Sequence, residues 1–99
     1  MYYVYILRCS DNSLYTGVTN DVLKRYKKHQ EGNGAKYTRV HKPISIELVI
    51  KCDTKSEALK LERKIKSLLK SQKEKLILLD DEVMNKLEIQ IQNIEKSNL

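Results

Sequence analysis

Apolar positions along the 99-residue chain change their spacing several times, and each change marks an element. Tyr2-Tyr3-Val4-Tyr5-Ile6-Leu7-Arg8-Cys9 is apolar on both alternating faces, the pattern of an inner strand covered on both sides. Ser10-Asp11-Asn12-Ser13 is turn chemistry, with Asn12 able to take a left-handed conformation, and Leu14-Tyr15-Thr16-Gly17-Val18 is the returning strand. Loop length decides the register. A two-residue loop at Asp11-Asn12 pairs Ser10 with Ser13 and puts Tyr5 and Tyr15 on opposite faces. A three-residue loop with Asn12 as the bulge residue pairs Cys9 with Ser13 and gives both phenols one face. The second arrangement is predicted.

Helical spacing follows. Thr19-Asn20-Asp21 offers N-caps and Gly32 a stop, so residues 21–31 read as a helix with Val22, Leu23 and Tyr26 on its apolar side. Arg25 and His29, four apart, are neighbours beside the Val22 edge. Ala35-Lys36-Tyr37-Thr38-Arg39 suggests a short helical turn, and Lys42-Pro43 breaks the chain before a third strand over Ser45–Cys52. Thr54-Lys55-Ser56-Glu57 fits a capping box opening a helix through about Lys70, with Ala58, Leu61, Ile65, Leu68 and Leu69 as its buried stripe. Residues 72–79 read as another short helix. Asp80-Asp81 caps a last one whose apolar positions are Val83, Met84, Leu87, Ile91 and Ile94, a stripe for packing on the body or on another chain. The fold class expected is α/β in the α+β sense: a three-stranded, mainly antiparallel sheet flanked by helices, with residues 1–79 as the body and 80–99 as an acidic helical extension.

Charge narrows the choice of partner. The net +6 is unevenly spread: residues 1–79 carry 17 Lys/Arg and 8 Asp/Glu, or +9, and residues 80–99 carry 2 and 5, or −3. A basic body suits a polyanion, nucleic acid being the commonest, although a solubilising charge explains pI alone equally well. Cys9 and Cys52 both fall on predicted strands, with no cysteine framework or signal peptide around them, so they read as reduced thiols packed as small hydrophobes. No apolar run reaches membrane-spanning length. A cytoplasmic protein with no membrane contact is expected.

Two features are unusual for a plain core. Five of the six tyrosines precede Lys27, although a buried phenol needs a hydrogen-bond partner that Leu or Val would not. Glu62 falls between Ala58 and Leu69 on the inward arc of its helix, a costly place for a carboxylate unless it is paired or holds a metal. Tyr3-Val4-Tyr5 followed by Tyr15-Thr16-Gly17, with Arg25 and His29 on the first helix and Glu62 on the second long one, resembles the paired signature of the GIY-YIG nuclease superfamily. The likeness covers about residues 2–79. It is closest to the small single-domain bacterial branch and to the catalytic subunit of the endonuclease that acts on branched DNA. The segment Ala35–Arg39 also resembles that branch. Tyr3 replaces the glycine of the first triplet, and the polar Asn that many members carry after the glutamate helix has no clear counterpart.

The resemblance implies a metal-dependent endonuclease that hydrolyses DNA phosphodiester bonds, at branched, nicked or damaged structures. It implies Tyr5 as general base toward water, Tyr15 orienting water or phosphate, and Arg25 as a cationic fork on the phosphate. Glu62 would be the sole protein ligand of a single Mg²⁺ or Mn²⁺. His29 would accept a tyrosine proton or bind phosphate; the residues leave both open. Gly17 allows close approach of backbone or ligand, or is a simple bulge. Lys24, Lys28, Lys36, Arg39 and Lys42 are candidate phosphate contacts, with Tyr37 placed to stack on a base. Each residue alone has a structural reading: strand aromatics, a buried partner for Arg25 or Arg63, a surface histidine, solvated lysines. The alternative function is a nucleic-acid-binding module of the same fold that is non-catalytic or needs a partner. RNA is not excluded as the ligand, and residues 80–99 are a candidate surface for a protein partner or homodimer.

Overall fold

The computed structural model describes residues 1–95 of the chain. Strands β1 (Tyr2–Cys9), β2 (Leu14–Thr19) and β3 (Pro43–Cys52) form one antiparallel sheet in the order β2-β1-β3. Helix α1 (Val22–Gln30) and the short α2 (Lys36–Val40) separate β2 from β3. Helices α3 (Lys55–Lys66), α4 (Lys70–Ile77) and α5 (Asp81–Lys86) follow, with a 3₁₀ turn at Ile91–Asn93.

The hairpin has the three-residue loop. Cys9 N–H donates to the Ser13 carbonyl (2.9 Å), and Asn12 takes φ 70°. Asp11 steadies the turn by accepting from the Ser13 amide (3.1 Å). Tyr5 consequently pairs with Gly17 and Leu7 with Tyr15, so Tyr5 and Tyr15 share a face. Alternation divides the sheet's side chains between two cores. On one face Tyr5, Leu7 and Val49 pack with Val22, Tyr26, Tyr15 and Ile46. On the other, Val4, Ile6, Leu48 and Ile50 pack with Ala58, Ile65 and Leu76 of α3 and α4. Cys9 and Cys52 are both free and buried, opposite Pro43 and Tyr2 at the two ends of β1. Arg8, at the margin of the sheet, ties Glu47 (2.9 Å) of β3 to Glu74 (2.5 Å) of α4.

Several elements differ from their sequence reading. Leu23 is exposed, since α1 turns Val22, Tyr26 and His29 inward instead. Strand β3 begins at Pro43, two residues early, because the Pro43 end pairs with Cys9 beyond a bulge. Helix α3 stops at Lys66, where Ser67 turns its hydroxyl onto the Lys64 carbonyl (2.7 Å). Leu69 is therefore an exposed N-cap of α4, its amide donating to Gln72 Oε1 (3.1 Å).

The C-terminal stripe is not one helix. Asp80 caps α5 by accepting from the Val83 amide (3.1 Å), but Glu88 takes φ 59° and closes the helix with bonds from Ile89 to Met84 (2.9 Å) and from Glu88 to Asn85 (3.1 Å). The chain then returns along β3, where Ile94 bridges Ile50 and Glu95 N–H donates to the Val49 carbonyl (2.9 Å). Val83, Met84, Leu87 and Ile89 are buried in the same core as α3 and α4, whereas Ile91 is exposed. The end of the expected extension, 96–99, lies outside the described residues. Among the described residues no helix is long and apolar enough to cross a membrane.

Candidate active site

The centre of the site is a buried hydrogen bond. Tyr5, 1% exposed on the middle strand, places its hydroxyl 2.8 Å from Nε2 of His29, itself 1% exposed on α1. Two glycines make room for this pair. A Cβ at Gly17 would stand 2.5 Å from Tyr5 Oη and 2.6 Å from Cζ, so the bare backbone of edge strand β2 is what the phenol lies across. At Gly34 a Cβ would overlap the His29 ring, falling 2.8 Å from its Cγ. The far side of the imidazole is held by Thr38 of α2, whose Oγ1 is 2.6 Å from Nδ1 and donates to the Ala35 carbonyl at 3.0 Å. Thr38 was not among the residues the sequence marked. Its only signal in the sequence is membership of the Ala35–Arg39 segment.

The other candidates gather around this bond. Tyr15 packs edge-on against His29 with ring centroids 5.1 Å apart, and 6.3 Å from Tyr5. Burial pushes the Tyr5 phenol up to about 12; Tyr15 and Glu62 add to the rise, and the guanidinium of Arg25 beside it pulls the other way. Burial, with help from Arg25, lowers His29 to about 4, so its imidazole is neutral near pH 7. The charges of Arg25 on α1 and Glu62 on α3 pull the Tyr5 phenol in opposite directions, Arg25 lowering it and Glu62 raising it. Glu62 is 19% exposed, facing inward as its helical position predicted, with Lys66 at 3.3 Å.

Lys24 and Lys28 line a shallow groove of about 220 Å³ with Arg25. Lys36, Tyr37 and Arg39 are exposed on α2, and Lys42 is exposed just beyond it. The Tyr37 ring is stacked on His41 at 4.1 Å and lies 5.9 Å from Tyr15, so part of the surface expected to receive a base already has an internal partner. His41 in turn contacts Asp11 (2.5 Å) across the hairpin turn. A larger hollow, about 420 Å³, lies elsewhere, between β3, α3 and the end of α5. It is lined by opposed charges, among them Lys51, Asp53, Glu57 and Lys64, and contains none of the tyrosine–histidine chemistry.

The donor set bears on a metal. No group of three His, Cys, Asp or Glu is clustered among the described residues. One inward carboxylate, Glu62, fits the other way of holding a hard divalent cation: one protein oxygen, with waters and a substrate phosphate completing the shell.

The GIY-YIG catalytic domain family model matches residues 1–75. A UPF0213 protein of Fusobacterium nucleatum is 48% identical over 87 residues, covering 88% of this chain and 87% of that protein. Another from Halobacterium salinarum is 46% identical over 76 residues, 77% of this chain and 99% of the relative. The solution NMR structure of a UPF0213 protein from Bacillus halodurans aligns with a TM-score of 0.53 at 42% identity, over 91% of this chain and all of that one.

Proposed function

Because the chain belongs to the GIY-YIG family, a nuclease family whose domains generally act on DNA, we propose that it is a divalent-metal-dependent endonuclease that hydrolyses DNA phosphodiester bonds. Branched, nicked or damaged DNA is the substrate class that best suits it.

The observation that carries this reading is the buried Tyr5–His29 bond, whose phenol is influenced by the charges of Arg25 and Glu62. A purely structural tyrosine here would be an expensive choice. It requires a glycine on the next strand and a desolvated histidine, both of which a leucine would avoid. In the reaction, water is deprotonated at Tyr5 Oη as the phenolic proton passes to Nε2 of the neutral His29. Arg25 neutralises charge building on the phosphoryl oxygens. Tyr15, packed against both groups, holds the water or phosphate in line. Glu62 would hold the Mg²⁺ or Mn²⁺, which when bound supplies Lewis-acid stabilisation of the phosphate and leaving alkoxide. Lys24 and Lys28, beside Arg25, guide the phosphate backbone, and Lys36, Arg39 and Lys42 extend the basic surface along α2.

A second reading, a binding module that turns over only with a partner, draws on one observation: the phenol at rest sits near 12, a poor base until a substrate, metal or partner changes its surroundings. One experiment separates the two. Nicked, branched and single-stranded DNA, with RNA alongside, are incubated with the pure chain in Mg²⁺, Mn²⁺ or EDTA, and Glu62→Gln is compared with wild type. The nuclease reading expects metal-dependent cutting that Glu62→Gln abolishes while binding persists. Binding without cutting in either protein would favour the module, and binding to no nucleic acid would remove both.

A further inference from the structure

We infer that Thr38 is a positioning residue that fixes the tautomer of His29, leaving Nε2 bare to receive the Tyr5 proton. The role assigned to that proton transfer rests on the nuclease reading above; the tautomer itself does not.

Counting hydrogens leads to it. The Thr38 hydroxyl donates its one proton to the Ala35 carbonyl across 3.0 Å, an acceptor that also receives the Arg39 amide at 3.3 Å. Oγ1 has no second proton to offer, and the 2.6 Å contact with His29 Nδ1 must therefore be filled from the imidazole side, as Nδ1–H to Oγ1. A neutral imidazole carries one N–H, so Nε2 has only a lone pair. The group facing it, 2.8 Å away, is the Tyr5 hydroxyl, which must donate. The proton order is thus set along the whole chain from Tyr5 through His29 and Thr38 to the Ala35 backbone. With the opposite tautomer, Nε2–H would point at the phenol, and His29 could not take its proton.

The surroundings hold this order in place. Thr38 is 2% exposed, so water does not compete for its hydroxyl. The backbone at Gly34 leaves no slack for the ring to turn, because even a methyl there would collide with it. Ala35 is the N-cap of the short helix that carries Thr38, and the bond from Thr38 back to it spans a single turn, so acceptor and anchor stay together while α2 is folded. The segment from Gly34 to Thr38 is in this view the holder of the imidazole.

The test uses the full chain with ¹⁵N-labelled histidine. His41→Gln, a substitution outside the catalytic machinery, assigns the remaining imidazole to His29. In wild type near pH 7 we expect a pyrrole-like Nδ1 and a pyridine-like Nε2. In Thr38→Val the two signals should move toward each other or exchange, while Thr38→Ser, which keeps the hydroxyl, should restore the wild-type pattern. Single-turnover DNA cleavage should fall at least tenfold in Thr38→Val, with DNA affinity unchanged, and recover in Thr38→Ser. A protonated Nε2 in wild type overturns the inference, and so does a Thr38→Val spectrum identical to wild type. If Thr38→Val fails to fold, the wild-type and Thr38→Ser spectra still decide. The expected tautomer in a wild-type protein that cuts no nucleic acid would uphold the inference and remove the nuclease reading.

Discussion

Replacing Gly17 by alanine is a one-methyl perturbation with an unusual sign. At an unconstrained strand position, glycine to alanine gains about 0.5–1 kcal/mol by removing backbone freedom from the unfolded chain. Here the methyl would stand 2.5 Å from Tyr5 Oη, 2.6 Å from Cζ and 3.1 Å from Tyr15 Cε2, all well inside contact distance. The Tyr5 ring has nowhere to go: it is 1% exposed, and its hydroxyl is already 2.8 Å from His29. Overpacking of this kind costs about 1–3 kcal/mol, which outweighs the entropic gain. We expect a net loss of roughly 1–2 kcal/mol, or about 5–15 °C in Tm for a domain of this size. Displacing the phenol by a substantial fraction of an ångström should also reduce cleavage by about 100-fold. Gly32→Ala is the control. That glycine has φ +81° and no atom near its missing Cβ, so its variant should lose about 1 kcal/mol from backbone strain alone and cut DNA normally. Thermal melts and single-turnover cleavage on both variants measure this directly. A Gly17→Ala protein as stable and as active as wild type would refute the close-approach reasoning.

Two further outcomes follow from the same geometry. His29 binds a proton near its ordinary 6.5 in the unfolded chain but only at about 4 when folded, so its contribution to stability is complete above pH 6.5 and is lost as pH falls toward 4. Stability should therefore decline across that window by on the order of 3 kcal/mol at most, read as a falling Tm, and His29→Gln should flatten the decline; parallel melting curves for the two proteins would contradict the assignment. Glu88, exposed and left-handed at φ 59°, stores backbone strain that glycine would release, so Glu88→Gly should gain about 1 kcal/mol in denaturant titrations without affecting cleavage; a loss of stability would show that its side chain matters more than its backbone.

Much of the site was legible in sequence because it depends on short-range rules. The hairpin register followed from Asn12 and the three-residue loop, and with it the shared face of Tyr5 and Tyr15. The inward turn of Glu62 followed from helical spacing. His29 was harder to place. Its position beside Val22 was readable, but its burial depends on α2 folding over it, a tertiary contact that periodicity in α1 does not encode. Thr38 was hidden for the same reason, since a hydroxyl becomes informative only once its partner is known. The C-terminal stripe misled because apolar spacing compatible with one helix also fits a short helix, a left-handed stop at Glu88 and a return through a 3₁₀ turn to a bridge on β3. Glutamate is a poor marker of a left-handed position, and no glycine flagged the break.

In the proposed hydrolysis of the phosphodiester, the Tyr5 hydroxyl moves the proton. Tyr5→Phe removes one oxygen and leaves the ring packing intact, so the direct measurement is its single-turnover rate on nicked or branched DNA in Mg²⁺ or Mn²⁺, with affinity measured in parallel. A fall of about 10²–10⁴-fold in rate at unchanged affinity is the result predicted. A Tyr5→Phe protein that cuts DNA at the wild-type rate would contradict it.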